Sequence, residues 1–428
     1  MRYRSKSLFF SCGMMLSLLG LVSACQSTNS DTWILGQEKG KHVVKVEDHS
    51  DALLYFLKHN YKNRTVIHLD SHDDSRIVPD HNINLISKMA STGDYKALKE
   101  GSGISYGSNG KIFNIGNFLF AAYKLGVINQ VYWVFPTDGF PEQATESVKK
   151  YLLESGFDQE SVSTFHFEDG YIRGSRKGLP IVLCTQTDIP LIKETALVSL
   201  DVDYLMGMYG GPKKTPMGQL SKKLFDDLKA SGIKTDFTVI SYSVRGITLP
   251  LMLRYAGDYL YDFISNPASE PQISNGLLKT RDNILELRSD NNFKLAIKRL
   301  NELLETDKSN ASLYYDLALT HLFNNEPEST NKMLERAITF DPVYFLGYVE
   351  IGSMMLNSIQ KNAIDKREST MGFLKNASRF IGDDVIANRY LLEGNQLLFD
   401  GNVRKAQIMY SKALKQKIGI TKFEFQDY

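Results

Sequence analysis

From about residue 41 to 263 the chain alternates short runs of β-formers with helical segments, and few folds accept that alternation. Residues 41–46 (KHVVKV), 65–69 (TVIHL), 130–135 (QVYWVF), 163–167, 179–185, 196–204 (ALVSLDVDY) and 237–242 read as strands. Segments 51–57, 115–125, 143–153, 220–230 and 250–263 read as helices. Gly126 and Gly156 stand where helix C-termini want glycine. The pattern predicts an α/β domain built on a mostly parallel sheet covered on both faces. The glycine-rich stretch 101–110 lacks the strand-to-helix setting of a phosphate-binding turn and reads as a loop.

Two of these strands end in ligand-type residues. Thr65–Asp74 (TVIHLDSHDD) places Asp70, His72 and Asp74 at alternate positions, and Ala196–Tyr204 ends in Asp201 and Asp203. His49 follows the first strand at a strand-to-helix junction, where open α/β sheets gather ligands. Asp48 and Ser50 are good helix N-caps for the segment starting at Asp51. Four carboxylates converging at neighbouring strand ends repel, and burying them unpaired costs several kcal/mol each. Two divalent cations offset that charge, and mixed carboxylate and imidazole donors suit Mn²⁺, Zn²⁺ or Fe²⁺ better than Ca²⁺ or Mg²⁺. Such a pair, roughly 3.5–4 Å apart, bridges a water and makes hydroxide available near pH ~7. His68 shares the strand face of Asp70 but lies deeper, so it is expected to pack or to orient a ligand. Asp73 is assigned a supporting role. His81 is a weak candidate for a catalytic proton shuttle, since a lone loop histidine is usually a solvated side chain.

The N-terminus carries Arg2, Arg4 and Lys6 before an apolar run, Leu8–Val22, too short for a membrane span. It reads as a signal segment. Leu21-Val22-Ser23-Ala24-Cys25 resembles a bacterial lipobox, which implies a lipid on Cys25 as the new first residue. Gln26 after that cysteine favours the outer membrane, facing the periplasm, in the lipoproteins it resembles. With Cys12 in the removed segment, Cys184 is the one remaining thiol and no intramolecular disulfide is expected. The formal net charge of +1 gives no reason to expect a nucleic-acid partner.

Beyond the polar stretch Ile264–Asn275 (ISNPASEPQISN) the pattern becomes helical, with a repeat near 34 residues. Tyr314, Leu317, Ala318, His321, Thr330, Leu334, Ala337 and Pro342 stand where a tetratricopeptide repeat wants them. Tyr390, Gly394, Leu397, Gly401, Ala406, Tyr410 and Ala413 repeat the register, and Ala296, Leu300 and Leu303 mark an earlier, degenerate unit. Small residues let paired helices approach while large ones fill the grooves between pairs. Such arrays usually bind a protein or peptide along a concave face.

Asp70-Ser71-His72-Asp73-Asp74 resembles the Asp-Ala-His-x-Asp signature of the arginase (ureohydrolase) superfamily. Ser199-Leu200-Asp201-Val202-Asp203 is similar to its Ser-Phe-Asp-x-Asp element, and Asp48-His49-Ser50 to its Gly-Gly-Asp-His-Ser element. The resemblance implies a three-layer α/β fold. It also implies one metal held by His49, Asp70, Asp74 and Asp201, and a second by Asp70, His72, Asp201 and Asp203. Histone-deacetylase-like relatives of that fold keep one of the two sites. A closer resemblance is to an uncharacterised branch, through Val46–His49, His68–Asp74, and Asn117–Leu119 ahead of Val131–Pro136. Glu47 stands where arginases have a second glycine, and no residue matches the glutamate that grips the guanidinium. The expected organisation is a signal peptide at 1–24, a lipid-anchored tether at 25–40 and the arginase-like domain at 41–263. A linker at 264–280 and an all-α tetratricopeptide-like solenoid at 281–420 complete it. The expected activity is hydrolysis of an amide or amidino C–N bond by a dinuclear centre, Mn²⁺ before Zn²⁺ or Fe²⁺. The contrary expectation is a non-catalytic envelope adaptor with structural metals.

Overall fold

The computed structural model describes residues 43–103, 111–137, 139–208, 215–244, 249–266, 270–357 and 385–402, together with 211 and a few isolated positions in the C-terminal helices. Signal segment, tether and Cys25 lie outside the described residues, as do most of the glycine-rich loop and most of residues 403–416. The chain divides into two compact units, one formed by residues up to Leu249 with Leu253–Leu278, the other by Lys279 onward with Pro250–Met252.

The first unit is α/β. Its strands are β1 (Val43–Val46), β2 (Arg64–Leu69), β3 (Ile128–Val134), β4 (His166–Glu168), β5 (Tyr171–Arg176), β6 (Leu179–Cys184), β7 (Ala196–Asp201) and β8 (Thr235–Ser241). They form one eight-stranded sheet in the order β1-β8-β7-β2-β3-β6-β5-β4. Pairing is parallel from β1 to β6 and antiparallel only in the β4–β5–β6 edge. The strands of the middle are buried along most of their length, as a sheet covered on both faces requires. Its helices are α1 (Asp51–Lys58), α2 (Asp80–Ser91), α3 (Tyr95–Gly101), α4 (Phe118–Lys124), α5 (Ala144–Glu154), α6 (Gln159–Ser163), α7 (Tyr204–Gly207), α8 (Met217–Ala230) and α9 (Tyr255–Ser265). Gly126 ends α4 with φ 68°, a left-handed conformation that glycine adopts without penalty.

Two local expectations change. Residues 163–167 are not one strand: Ser163 closes α6, whose Asp158 cap accepts the Ser161 N–H at 3.0 Å, and the strand starts at His166. Strand β5 was not expected. Its sequence, YIRGSR, is polar and holds Gly174, whose missing Cβ leaves room for the Phe165 ring. An antiparallel hairpin edge tolerates such a composition, whereas a buried parallel strand does not.

Strand register sets up the site. Val46 pairs with Ser241, Ser241 with Asp201, and Leu69 with Leu200, so β1, β8, β7 and β2 finish level with one another. From β2 the chain moves out through β3 and β6, and β7 returns on the other side of β2. The carboxyl ends of β2 and β7 therefore flank the point where strand order reverses, the usual crevice of an open α/β sheet.

The second unit is helical: α10 (Lys279–Ser289), α11 (Phe293–Thr306), α12 (Ala311–Phe323), α13 (Pro327–Phe340), α14 (Gly347–Asn357) and α15 (Val385–Phe399). Asn310 caps α12 by accepting the Leu313 N–H, and Pro327 opens α13. Ile284, Ala296, Leu300, Leu304, Leu313 and Leu317 form a core across α10, α11 and α12, while Leu334 and Ala337 are buried on α13. Among the described residues no helix is long and apolar enough to cross a membrane.

Candidate metal centre

The residues after β1, β2, β7 and β8 form one buried cluster. After β2 and β7 the chain uses the same local device: the first aspartate accepts the N–H two residues on. Asp70 Oδ1 takes the His72 N–H at 2.8 Å, and Asp201 Oδ1 takes the Asp203 N–H at 3.1 Å. These turns bend the chain sharply enough to aim alternate side chains into one space. Asp74 (φ 44°) and Ser243 (φ 51°) are left-handed without being glycine, a conformation that persists where the surroundings over-determine it.

His49 is held from one side. Its Nε2 lies 2.6 Å from the Ser199 hydroxyl on β7, and its ring stands 4.8 Å from that of Phe118. This leaves Nδ1 facing Asp70 Oδ2 and Asp74 Oδ2, both at 3.0 Å, and Asp201 Oδ2 at 3.3 Å. None of the three is aligned for a hydrogen bond to it. His72 Nδ1 lies 3.2 Å from Asp70 Oδ1 and 3.3 Å from Asp203 Oδ2, and both carboxylate oxygens of buried Asp203 lack a hydrogen-bond partner. Asp70 thus turns one oxygen to each imidazole. Ser243 donates to Asp201 Oδ2, closing the cluster from β8.

These spacings are those of donors around cations. Adjacent donors about 2.1 Å from an ion stand about 3.0 Å apart in an octahedron and about 3.4 Å apart in a tetrahedron. The donors of this cluster sit at such separations, with orphaned atoms turned inward. The buried groups His49, His68 and Asp70, and the group Asp70, His72 and Asp203, can each hold a metal ion, and Asp70 belongs to both.

Electrostatics agree. Burial works against a charged His49, yet Asp201, Asp70 and Asp74 raise its pKa well above the ordinary value. Burial likewise opposes charge on His72, but Asp203 and Asp70 push it up to about 12. Burial, and then Asp70, hold Asp74 well above the usual carboxylate range. Burial with Asp201 and Asp70 raises Asp203 to about 7. Burial opposes charge on Asp70, yet the neighbouring His49 and His72 hold it well below that range. The cluster is short of positive charge, and protons on its imidazoles and acids make up the shortfall.

A surrounding layer fixes the ligands. Trp133 Nε1 donates to the Asp70 carbonyl at 3.0 Å and the Tyr151 hydroxyl to the Ser71 carbonyl at 3.2 Å. Arg176 pairs with Asp73 at 2.8 Å and lies over the Phe157 ring, which gives Asp73 its supporting place. Glu47, in the position where the loop departs from arginases, is buried against Arg254, whose guanidinium lies over Tyr242 at 3.8 Å. Ser50 does not cap α1; its hydroxyl meets Ser102 at 2.7 Å, and Lys99 approaches Asp48 at 3.3 Å.

The structure brings together all six expected metal ligands, His49, Asp70, His72, Asp74, Asp201 and Asp203. His81 is exposed in the first turn of α2, and no described contact joins it to the cluster. Cys184 is buried, and burial pushes its thiol up. Tyr209, Gly210, Pro212, Arg245 and Gly246 lie outside the described residues. The sequence reading gave Ser199 and Ser243 no ligand-orienting role, although each stands two residues from a strand-end position. No protein family model matches this chain and no curated protein matches it.

Proposed function

We propose that the α/β unit is a metal-dependent hydrolase of the arginase/deacetylase-like fold, acting on an amide or amidino C–N bond. One observation carries this reading: four buried carboxylates and two imidazoles converge at the carboxyl ends of adjacent strands, with inward-facing atoms left without partners. His49, Asp70, Asp74 and Asp201 would hold one ion, and Asp70, His72, Asp201 and Asp203 the other. Bound there, two divalent cations supply Lewis-acid polarisation of the scissile carbon and a nucleophile available at neutral pH. The protein's own part is positional. Ser199 holds the His49 tautomer that leaves Nδ1 bare, Ser243 and the Asp203 N–H fix Asp201, and the Trp133 indole fixes the Asp70 backbone. His72, 38% exposed while its neighbours are buried, marks the side from which substrate arrives.

The wider architecture belongs to the same proposal. Cys25 would carry a lipid that anchors the protein in the bacterial envelope, and the helical unit would form a tetratricopeptide-like solenoid offering a surface to a protein or peptide. Burial of Leu317, Ala318, Thr330, Leu334 and Ala337 at the expected repeat positions supports the latter.

Elemental analysis after loading with Mn²⁺ or Zn²⁺, paired with hydrolysis assays on amide and guanidino libraries, tests the hydrolase. Two ions per chain with turnover of one library are expected; less than about one ion per chain would sink it. Full occupancy without turnover would point to an adaptor with structural metals. An enzyme that tolerates Asp203→Ala but not Asp201→Ala would be of the one-metal, deacetylase type.

A further inference from the structure

We infer that His68 is a metal ligand, which makes the inner half of the centre a two-imidazole site and favours Zn²⁺, Co²⁺ or Fe²⁺ there over Mn²⁺. The inference rests on the metal-centre reading above and adds to it a residue that its sequence position had placed behind the ligands.

His68 is fully buried in β2, two residues before Asp70. Its Nε2 lies 3.5 Å from Asp70 Oδ2, the oxygen that also faces His49, and Nδ1 has no hydrogen-bond partner. Donor atoms of His49, His68 and Asp70 all fall within 4.8 Å of one another, a grouping that could hold an ion. The ring planes are fixed for this. His49 and His68 stack at 5.2 Å with an interplanar angle of 27°, and the Phe118 ring borders both.

The bland alternative is a hydrogen bond. His68 Nε2 is 3.2 Å from the His72 carbonyl, and a proton there would pin the 70–74 turn. That tautomer leaves the lone pair of Nδ1 buried and unfilled. The carbonyl accounts for neither that bare Nδ1 nor the convergence of His49 and His68, at 3.0 and 3.5 Å, on one carboxylate oxygen. With His68 added, this ion would have two nitrogens beside its carboxylates instead of the one expected from the resemblance, and added nitrogen moves preference from Mn²⁺ towards Zn²⁺ and its neighbours.

The test uses the full chain, stripped and reloaded, with His68→Gln and His72→Gln beside the wild type. Stoichiometry and affinity for Zn²⁺, Co²⁺ and Mn²⁺ are read by equilibrium dialysis, and Co²⁺ coordination by its visible spectrum. His68→Gln is expected to weaken one Zn²⁺ by at least about 100-fold, lower the Zn²⁺/Mn²⁺ preference and change the Co²⁺ spectrum, leaving the ion at His72 in place. Wild-type protein labelled with ¹⁵N-histidine and loaded with ¹¹³Cd²⁺ should show three imidazole nitrogens coupled to cadmium, a readout that does not depend on the variant folding. Two coupled nitrogens, or a folded His68→Gln with both ions and spectrum unchanged, would overturn the assignment while sparing the metal centre. Selective loss of the ion at His72 would also overturn it, since that is the effect of a residue holding the turn. A wild type that takes up no Zn²⁺, Co²⁺ or Cd²⁺ would bring down the centre itself.

Discussion

Both units bury charge, but they balance it differently. In the helical unit, Asp316 on α12 receives Arg281 Nε and Nη2 at 3.0 and 2.6 Å, with Arg288 Nη1 at 3.7 Å, while Arg281 Nη1 reaches Ser312 at 3.0 Å. Cation and anion are both supplied by the chain, and the guanidinium fork fits the carboxylate. In the metal-centre cluster of the α/β unit the charges are mostly acids, the imidazoles are too few, and His49 Nδ1 and both Asp203 carboxylate oxygens are orphaned. A closed network fastens helices together. An open one is arranged for something the chain does not contain.

The sharpest way to break this contrast is to unbalance the closed network. Asp316→Ala would leave two buried guanidiniums facing each other and should destabilise the helical unit by about 3–5 kcal/mol, read by denaturant titration. Replacing Arg281, Arg288 and Asp316 together with apolar residues should cost far less, because no unpaired charge is left behind.

Glu350 provides the next largest effect. It is buried on α14, and its Oε2 accepts the Leu251 N–H at 2.9 Å; burial raises its pKa to about 7 despite that bond. The folded value exceeds the unfolded one, so the native state binds the extra proton. Stability of the helical unit is therefore full below about pH 4.5 and declines as pH rises to about 7, by about 3 kcal/mol. Unfolding measured between pH 4 and 8 should show that slope in the wild type and lose it in Glu350→Gln.

The open network should respond to metal. Zn²⁺ or Mn²⁺ at about 100 times its dissociation constant should stabilise the α/β unit by about 2.7 kcal/mol, and a chelator should reverse this; the helical unit should not respond. Equal shifts in both units, read by calorimetry, would erase the distinction. The smallest effect has the most telling sign. Asp203→Asn removes one of several crowded carboxylates, so the metal-free protein should gain about 1 kcal/mol while losing affinity for an ion. Had the cluster been balanced like that around Asp316, the same kind of change would destabilise.

The convergence of the candidate ligand residues was legible in the sequence because strand periodicity fixes faces. Once Thr65–Leu69 and Ala196–Leu200 read as strands, Asp70, Asp74, Asp201 and Asp203 had to emerge at one sheet edge. The surroundings of His68 were less legible, for a related reason. Its distance along the strand from Asp70 was visible, but the stacking on His49 that swings its nitrogens toward the same oxygen depends on which strands are neighbours. The buried arginines were invisible for the same cause: Arg176 and Arg254 find Asp73 and Glu47 across long stretches of chain, and nothing local marks them. Strand β5 escaped because edge hairpins do not need apolar alternation.

The hydrogen bond between His49 and Ser199 spans 150 residues. No shorter stretch of chain holds the whole cluster, because its parts become neighbours only when β7 settles beside β2. A nascent chain that has delivered only the first three strands carries scattered aspartates and imidazoles with weak, unselective affinity. Selectivity comes into being with the closed sheet. An ion held there is therefore drawn from the pool surrounding the protein when folding finishes, and the identity of the metal records where that happened.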